Sequence, residues 1–148
     1  MGFQLVEGNP SVVYIGEHTT HGSFAAGDPV KVETTGLLKI ASSSAAIFGI
    51  AQGPYTATAG TPIPVIVLTP DLVWAIETDS ATTPAITHLG IAYDLTISAG
   101  ATVLNLAGGE STEKFIVMEL DGRDTAAAGT RVLVRASVAV SDAMGNVT

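Results

Sequence analysis

Apolar residues in this chain alternate with polar ones over short stretches, and glycine, proline or threonine ends each stretch. Val30-Lys31-Val32-Glu33 points inward and outward in turn, as the pleat of a half-buried strand requires. The same alternation runs through residues 132 to 141, with Val132, Val134, Ala136, Val138 and Val140 facing one way. Val65-Ile66-Val67-Leu68 has no polar residue between its apolar ones, which predicts a strand covered on both faces. Proline cannot donate to a ladder, so Pro62 and Pro64 place the start of that strand at an edge or outside the sheet. Helix formers gather only at Lys114, Met118 and Glu119, and the centre of that run, Phe115-Ile116-Val117, suits a strand better. The pattern predicts roughly ten short strands and no helix.

Four turns punctuate these strands in a common way. Each has a glycine preceded by alanine, at Gly27, Gly60, Gly100 and Gly129, and a branched apolar residue three positions later: Val30, Ile63, Val103 and Val132. Glycine reaches positive φ without a Cβ clash, so it suits the reversal, and the branched residue suits the strand that follows. The intervals between these glycines are 33, 40 and 29 residues, too uneven for a solenoid. They are read as four hairpin-like units in one body. The expected fold is all-β, a single compact β-barrel or sandwich-like domain. Residues 1 to 11 are expected to form an extended N-terminal arm that breaks at Gly8-Asn9-Pro10. The corresponding division is 1–23 for the arm and first strand and 24–148 for the β domain.

Charge narrows the functions available. The 148 residues carry a formal net charge of −8 with only six lysines and arginines, which argues against nucleic-acid binding and against acidic membrane surfaces. No stretch approaches the uninterrupted apolar length of a membrane helix, and the opening residues lack the basic and apolar parts of a secretory signal. Charged residues make up 14% of the chain against about 25% in average proteins, so Ala, Thr, Ser and Gly cover much of the surface. Such a surface suits contact with another protein, and it equally suits a compact small-residue β fold with an ordinary wet exterior. Without cysteine there is neither a disulfide nor a thiolate metal site.

Reactive groups do not assemble into a motif. His18 and His21, with Glu17 nearby, make the one histidine cluster, but a third fitting metal ligand is not evident. Asp121-Gly122-Arg123-Asp124 reads as a turn with Asx bonds, and Ser42-Ser43-Ser44 lacks a nucleophile elbow. Neither a phosphate-binding loop nor a dinucleotide fingerprint occurs. The expectation is a protein that is not an enzyme and uses no cofactor or metal. Trp74, the only tryptophan, lies in an apolar strand and is read as a core residue; with Tyr55 and Tyr93 it also offers a possible stacking platform.

Three segments carry a family resemblance: Phe24-Ala25-Ala26-Gly27-Asp28-Pro29-Val30-Lys31-Val32, Ile47-Phe48-Gly49-Ile50-Ala51, and residues 125 to 134 with Ala127-Ala128-Gly129 and Val132-Leu133-Val134. Together they resemble the head decoration, or cement, proteins of tailed bacteriophages. The similarity covers most of residues 24 to 136. It implies a viral structural protein of the virion that binds the outer surface of an expanded capsid and stabilises it, after assembly in the host cytoplasm. Its partners would be the major capsid protein and further copies of itself, as a homotrimer. Such proteins often reach the shell with an N-terminal arm, which here implies Phe3, Leu5, Val6 and Tyr14 as apolar capsid contacts. The alternative is a receptor- or glycan-binding virion module of a fibre or tail.

Overall fold

The computed structural model describes residues 2–18, 23–41, 47–79, 82–107, 115–120 and 131–137. Eleven strands occur among them: β1 Gln4–Glu7, β2 Val12–Gly16, β3 Pro29–Val32, β4 Leu38–Ile40, β5 Gly49–Ala51, β6 Pro62–Val67, β7 Val73–Glu77, β8 Ala92–Thr96, β9 Val103–Asn105, β10 Phe115–Leu120 and β11 Arg131–Ala136. A single 3-10 turn, Ile86–His88, is the one helical element among the described residues. The run around Phe115-Ile116-Val117 is a strand, as its β-branched centre requires. Strands pair into a six-stranded sheet, β1-β7-β11-β10-β8-β9, and a five-stranded sheet, β2-β6-β5-β3-β4. All these ladders are antiparallel, and the fold is all-β and sandwich-like.

The two sheets are one topology written twice. Removing β1 from the larger sheet leaves β7-β11-β10-β8-β9, which matches β2-β6-β5-β3-β4 strand for strand in chain order. The registers repeat as well. Val13 pairs with Val65 and Trp74 with Val134; Val32 pairs with Leu38 and Leu95 with Leu104. Likewise Val30 pairs with Gly49 and Tyr93 with Phe115, while Ala51 pairs with Val65 and Val117 with Val134. These ladders assign the same equivalents, so no strand has slipped against its counterpart, and β10 departs from β5 only beyond Val117, where it carries a bulge at Met118. A one-residue slip would have reversed the buried face of that strand.

Turn and closing contacts obey the same rule. Gly27 N–H donates to Ala51 O at 2.7 Å, and Gly90 N–H to Val117 O at 2.8 Å. Ala51 N–H donates to Asp28 O at 3.0 Å, and Val117 N–H to Ile91 O at 3.1 Å. In each half one parallel bridge brings the first strand's end beside the next-but-one strand: Glu17 with Leu38, and Thr78 with Leu104. The fourfold reading of the Ala-Gly turns therefore gives way to a twofold one. Gly27 and Gly90 occupy equivalent places before β3 and β8, whereas Gly100 precedes β9 as Gly36 precedes β4. Gly27, Gly36, Gly60, Gly90 and Gly100 all have positive φ, and Gly129 lies outside the described residues.

Two apolar clusters hold the fold together. The smaller lies within the first half, from Phe24, Val30, Leu38, Ala51, Ile63 and Val65. The larger is built on Trp74, Ile76, Phe115 and Val134 of the second half, and it takes in Ile47, Ile50, Ile66 and Leu68 of the first. Ile66 is thus on the opposite face of β6 from Ile63 and Val65, and β6 is covered on both faces as its unbroken apolar run predicts. Each fully buried large side chain contributes about 1.5–3 kcal/mol by leaving water. Pro62 and Pro64 do not mark an edge, because β6 lies between β2 and β5. Pro64 is tolerated because β5 ends opposite Val65 and the next residue, Gln52, meets Pro64 through its carbonyl, which accepts Gln52 N–H at 2.7 Å.

The N-terminal segment is a structural part of both sheets. Residues 4 to 7 pair with β7, placing Leu5 opposite Trp74, and Phe3 N–H donates to Gly27 O at 2.7 Å. The extended arm expected over residues 1 to 11 is replaced by an edge strand, β1, followed by β2. The physical reason is Phe3, whose ring is only 3% exposed and packs edge-on to Trp74 (5.8 Å between centroids) and against Phe115 (5.1 Å).

Candidate binding surface

Of the four residues implied as capsid contacts, the structure keeps two at the surface. Phe3 is in the core, and Leu5 is half-buried against the same cluster. Phe3 thus has no side-chain surface for a partner to cover, while Leu5 keeps part of its own. Val6 and Tyr14 are exposed, on β1 and β2 respectively, and so belong to different sheets. Val12, also exposed, shares the outward face of β2 with Tyr14.

Among the described residues two carboxylates are fully buried, Glu17 and Asp28, and both are spent on turns. Asp28 Oδ2 accepts N–H bonds from Ala25 and Gly100, both 2.8 Å, and Oδ1 accepts the Thr102 hydroxyl at 3.2 Å. Glu17 Oε2 accepts Thr56 N–H at 2.9 Å, and Oε1 accepts Thr58 N–H at 2.7 Å together with the Thr56 hydroxyl. Burial pushes the Glu17 carboxyl up, but the bonds from Thr56 and Thr58 outweigh it and hold the group below the usual glutamate range. Both oxygens of each acid accept hydrogen bonds. Of the histidine cluster read beside Glu17, His21 lies outside the described residues. Among the described residues no three His, Asp or Glu side chains come together as a metal site. Asp121, Arg123, Asp124 and Ser42 to Ser44 lie outside the described residues.

The aromatic side chains face inward. Trp74 is fully buried, as expected of a core residue, and its Nε1–H finds no acceptor among the described residues. Tyr93 is buried with its ring edge-on to His88, and Tyr55 leans on Phe24 at 5.5 Å. Trp74 and Tyr93 are therefore shut off from any ligand, and the stacking platform loses two of its three rings. A cleft of about 570 Å³ beside β1 is lined by backbone and by Gln4, Leu5, Ala25 and Gln52, without a charged side chain among the described residues.

A second exposed apolar group went unread in the sequence. Ile86, Leu89, Ile91 and Met118 are all exposed, and Ile86 is 76% so. They share a neighbourhood because Gly90 N–H donates to Val117 O and Val117 N–H to Ile91 O, which lays the 86 to 91 segment beside Met118. Duplication supplies the comparison: Leu89 and Ile91 stand where the first half has Ala26 and Asp28, and Met118 is the bulged residue between Val117 and Glu119. The same backbone thus carries small or polar residues in one half and large apolar ones in the other. In the sequence, Leu89 and Ile91 look like the inward residues of a strand, so nothing distinguished them. No transmembrane-length apolar helix occurs among the described residues. A scan against family models and a search of curated proteins both find no match.

Proposed function

We propose that this chain is a non-enzymatic decoration protein of a tailed-bacteriophage head, which binds the outer surface of the capsid and stabilises the shell. The observation that carries the reading is the apolar group Ile86, Leu89, Ile91 and Met118, exposed in one half of a duplicated fold whose other half has Ala26 and Asp28 in place of Leu89 and Ile91. Exposed apolar clusters of this kind suit burial against another protein. The carboxylates with the deepest burial serve turns, which leaves recognition by shape as the work of the surface.

In this reading the major capsid protein covers the second-half patch, and Val6 adds a contact from β1. Many copies on one shell need only modest affinity each, since linked contacts raise effective concentration. The low charge of the chain lowers the desolvation cost of covering its surface. The test is co-sedimentation of the purified protein with expanded shells that lack it. Binding that falls when Ile86→Ser and Leu89→Ser are combined supports the proposal. Failure to sediment with either expanded or immature shells would sink it.

A further inference from the structure

The duplication exposes one place where the halves differ in completeness. In the second half, β1 lies along the outer edge of β7 and pairs Gln4 with Ala75 and Leu5 with Trp74. The equivalents of Trp74 and Ala75 are Val13 and Tyr14 on β2, and no described residue pairs with that edge of β2. Exposure differs between the two edges as well. Ala75, beside β1, is 1% exposed, whereas Tyr14 is 71% and Val12 50% exposed.

The backbone groups along this edge can be assigned. Val67 N–H donates to Ser11 O and Glu17 N–H donates to Thr61 O, so residues 11, 13, 15 and 17 turn their polar groups toward β6. By alternation, the N–H and C=O of Val12 and Tyr14 point away from β6, toward the open edge. Gly16 is closer to the bridge where Leu38 meets Glu17, which limits the open stretch to Val12–Tyr14. This is the stretch that corresponds to the part of β7 that β1 fills.

The chain's other edges carry the usual protections. β1 has Glu7 and a register shift between Leu5 and Glu7; β4 and β9 have three residues each, and β4 carries Lys39. β2 has no charge, no proline and no bulge in Val-Val-Tyr-Ile-Gly. An uncharged, regular, unpaired edge is a template for strand pairing.

We propose that the edge of β2 pairs with β2 of a second copy, giving a two-fold dimer whose sheet runs continuously across both chains. A two-fold axis at Val13 sets Val12 opposite Tyr14 of the other chain twice over, with all outward N–H and C=O groups matched. It also joins a β-branched side chain to an aromatic one across the strands, a favourable pair. Two chains of net charge −8 repel at most surfaces, and β2 brings no charge of its own to the junction. Because β1 already fills the corresponding place on β7, each copy has one such edge among its described residues and the assembly closes at two. The proposal is independent of the capsid reading, and it departs from the three-fold clustering that the family resemblance implies.

The test measures solution mass by analytical ultracentrifugation over a concentration series, with two edge variants, and cross-linking with two cysteine variants. The native chain is expected to reach the dimer mass. Tyr14→Pro removes an outward N–H that β6 does not use, and Val12→Lys puts like charges across the axis; each should leave only monomer. The chain has no cysteine, so Val13→Cys should form a disulfide-linked dimer under mild oxidation, while Met118→Cys at the same concentration should not. A native chain that stays monomeric, a trimer, or association that survives both Val12→Lys and Tyr14→Pro overturns the proposal. Should Tyr14→Pro unfold, the Val12→Lys mass and the Val13→Cys cross-link still decide.

Discussion

The carboxylate of Asp28 accepts the backbone N–H of Gly100 at 2.8 Å across 72 positions of chain, tying the turn before β3 to the turn before β9. The same oxygen accepts Ala25 N–H within its own turn, and the other accepts the Thr102 hydroxyl. One buried side chain therefore sets the position of a first-half turn against a second-half turn. Asp28→Ala should leave those donors without an acceptor and lower stability by about 2–4 kcal/mol, read from urea unfolding. Asp28→Asn keeps one acceptor oxygen and should cost less than Asp28→Ala.

Glu17 gives the protein an acid-sensitive contact. Its folded-state pKa lies below the usual value of 4.5, so its stabilising effect is complete above that value and fades as pH falls through the lower, folded pKa. The difference in unfolding free energy between the native chain and Glu17→Gln should thus be constant near neutral pH and shrink below about pH 4.5. Thermal unfolding across a pH series provides the measurement, and a difference that grows with acid would exclude this role for Glu17.

Phe3 and Tyr14 separate structural from surface aromatic residues near the N-terminus. Phe3→Ala opens a cavity between Trp74 and Phe115 and should cost about 3–5 kcal/mol, whereas Tyr14→Ala should stay within about 0.5 kcal/mol for the monomer. Comparison of denaturation midpoints at low protein concentration checks both values.

Strand number, all-β character and the core position of Trp74 were readable from the chain because they depend on alternation and residue type. The duplication was not. Equivalent positions hold residues of very different size, such as Gly49 and Phe115, Val13 and Trp74, or Tyr14 and Ala75. A ladder fixes backbone spacing, and side-chain volume can be traded between neighbours as long as the interior stays filled. The Ala-Gly turns misled for a related reason: positive φ is needed at several kinds of reversal, so Gly100 resembles Gly27 locally while occupying the place of Gly36. Burial of Phe3 likewise depends on a groove that Trp74 and Phe115 create far along the chain.

Gly49 and Gly60 should respond differently to alanine. A Cβ on Gly49 would sit 2.3 Å from the carbonyl oxygen of Ile66, against backbone that cannot yield without disturbing the β5–β6 ladder. At Gly60 there is open space, and the penalty comes only from its φ of +79°. Gly60→Ala should therefore cost about 1–2 kcal/mol, the left-handed backbone penalty, and Gly49→Ala clearly more. Equal losses in chemical unfolding would mean that the β5–β6 spacing relaxes to admit the methyl group.

Although the fold consists of two equivalent halves, it should unfold as one unit. The larger apolar cluster joins Ile47, Ile50, Ile66 and Leu68 of the first half to Trp74, Phe115 and Val134 of the second, and Asp28 links turns from both. Opening either half alone would expose part of that shared cluster while leaving its partner residues without contacts. Trp74 is the sole tryptophan and reports the second half, whereas far-ultraviolet circular dichroism reports strands in both. The two signals should trace one coincident transition in urea, as a two-state domain requires. If fluorescence changed at a different denaturant concentration from circular dichroism, the halves would be independent folding units, and the shared cluster would contribute little to their coupling.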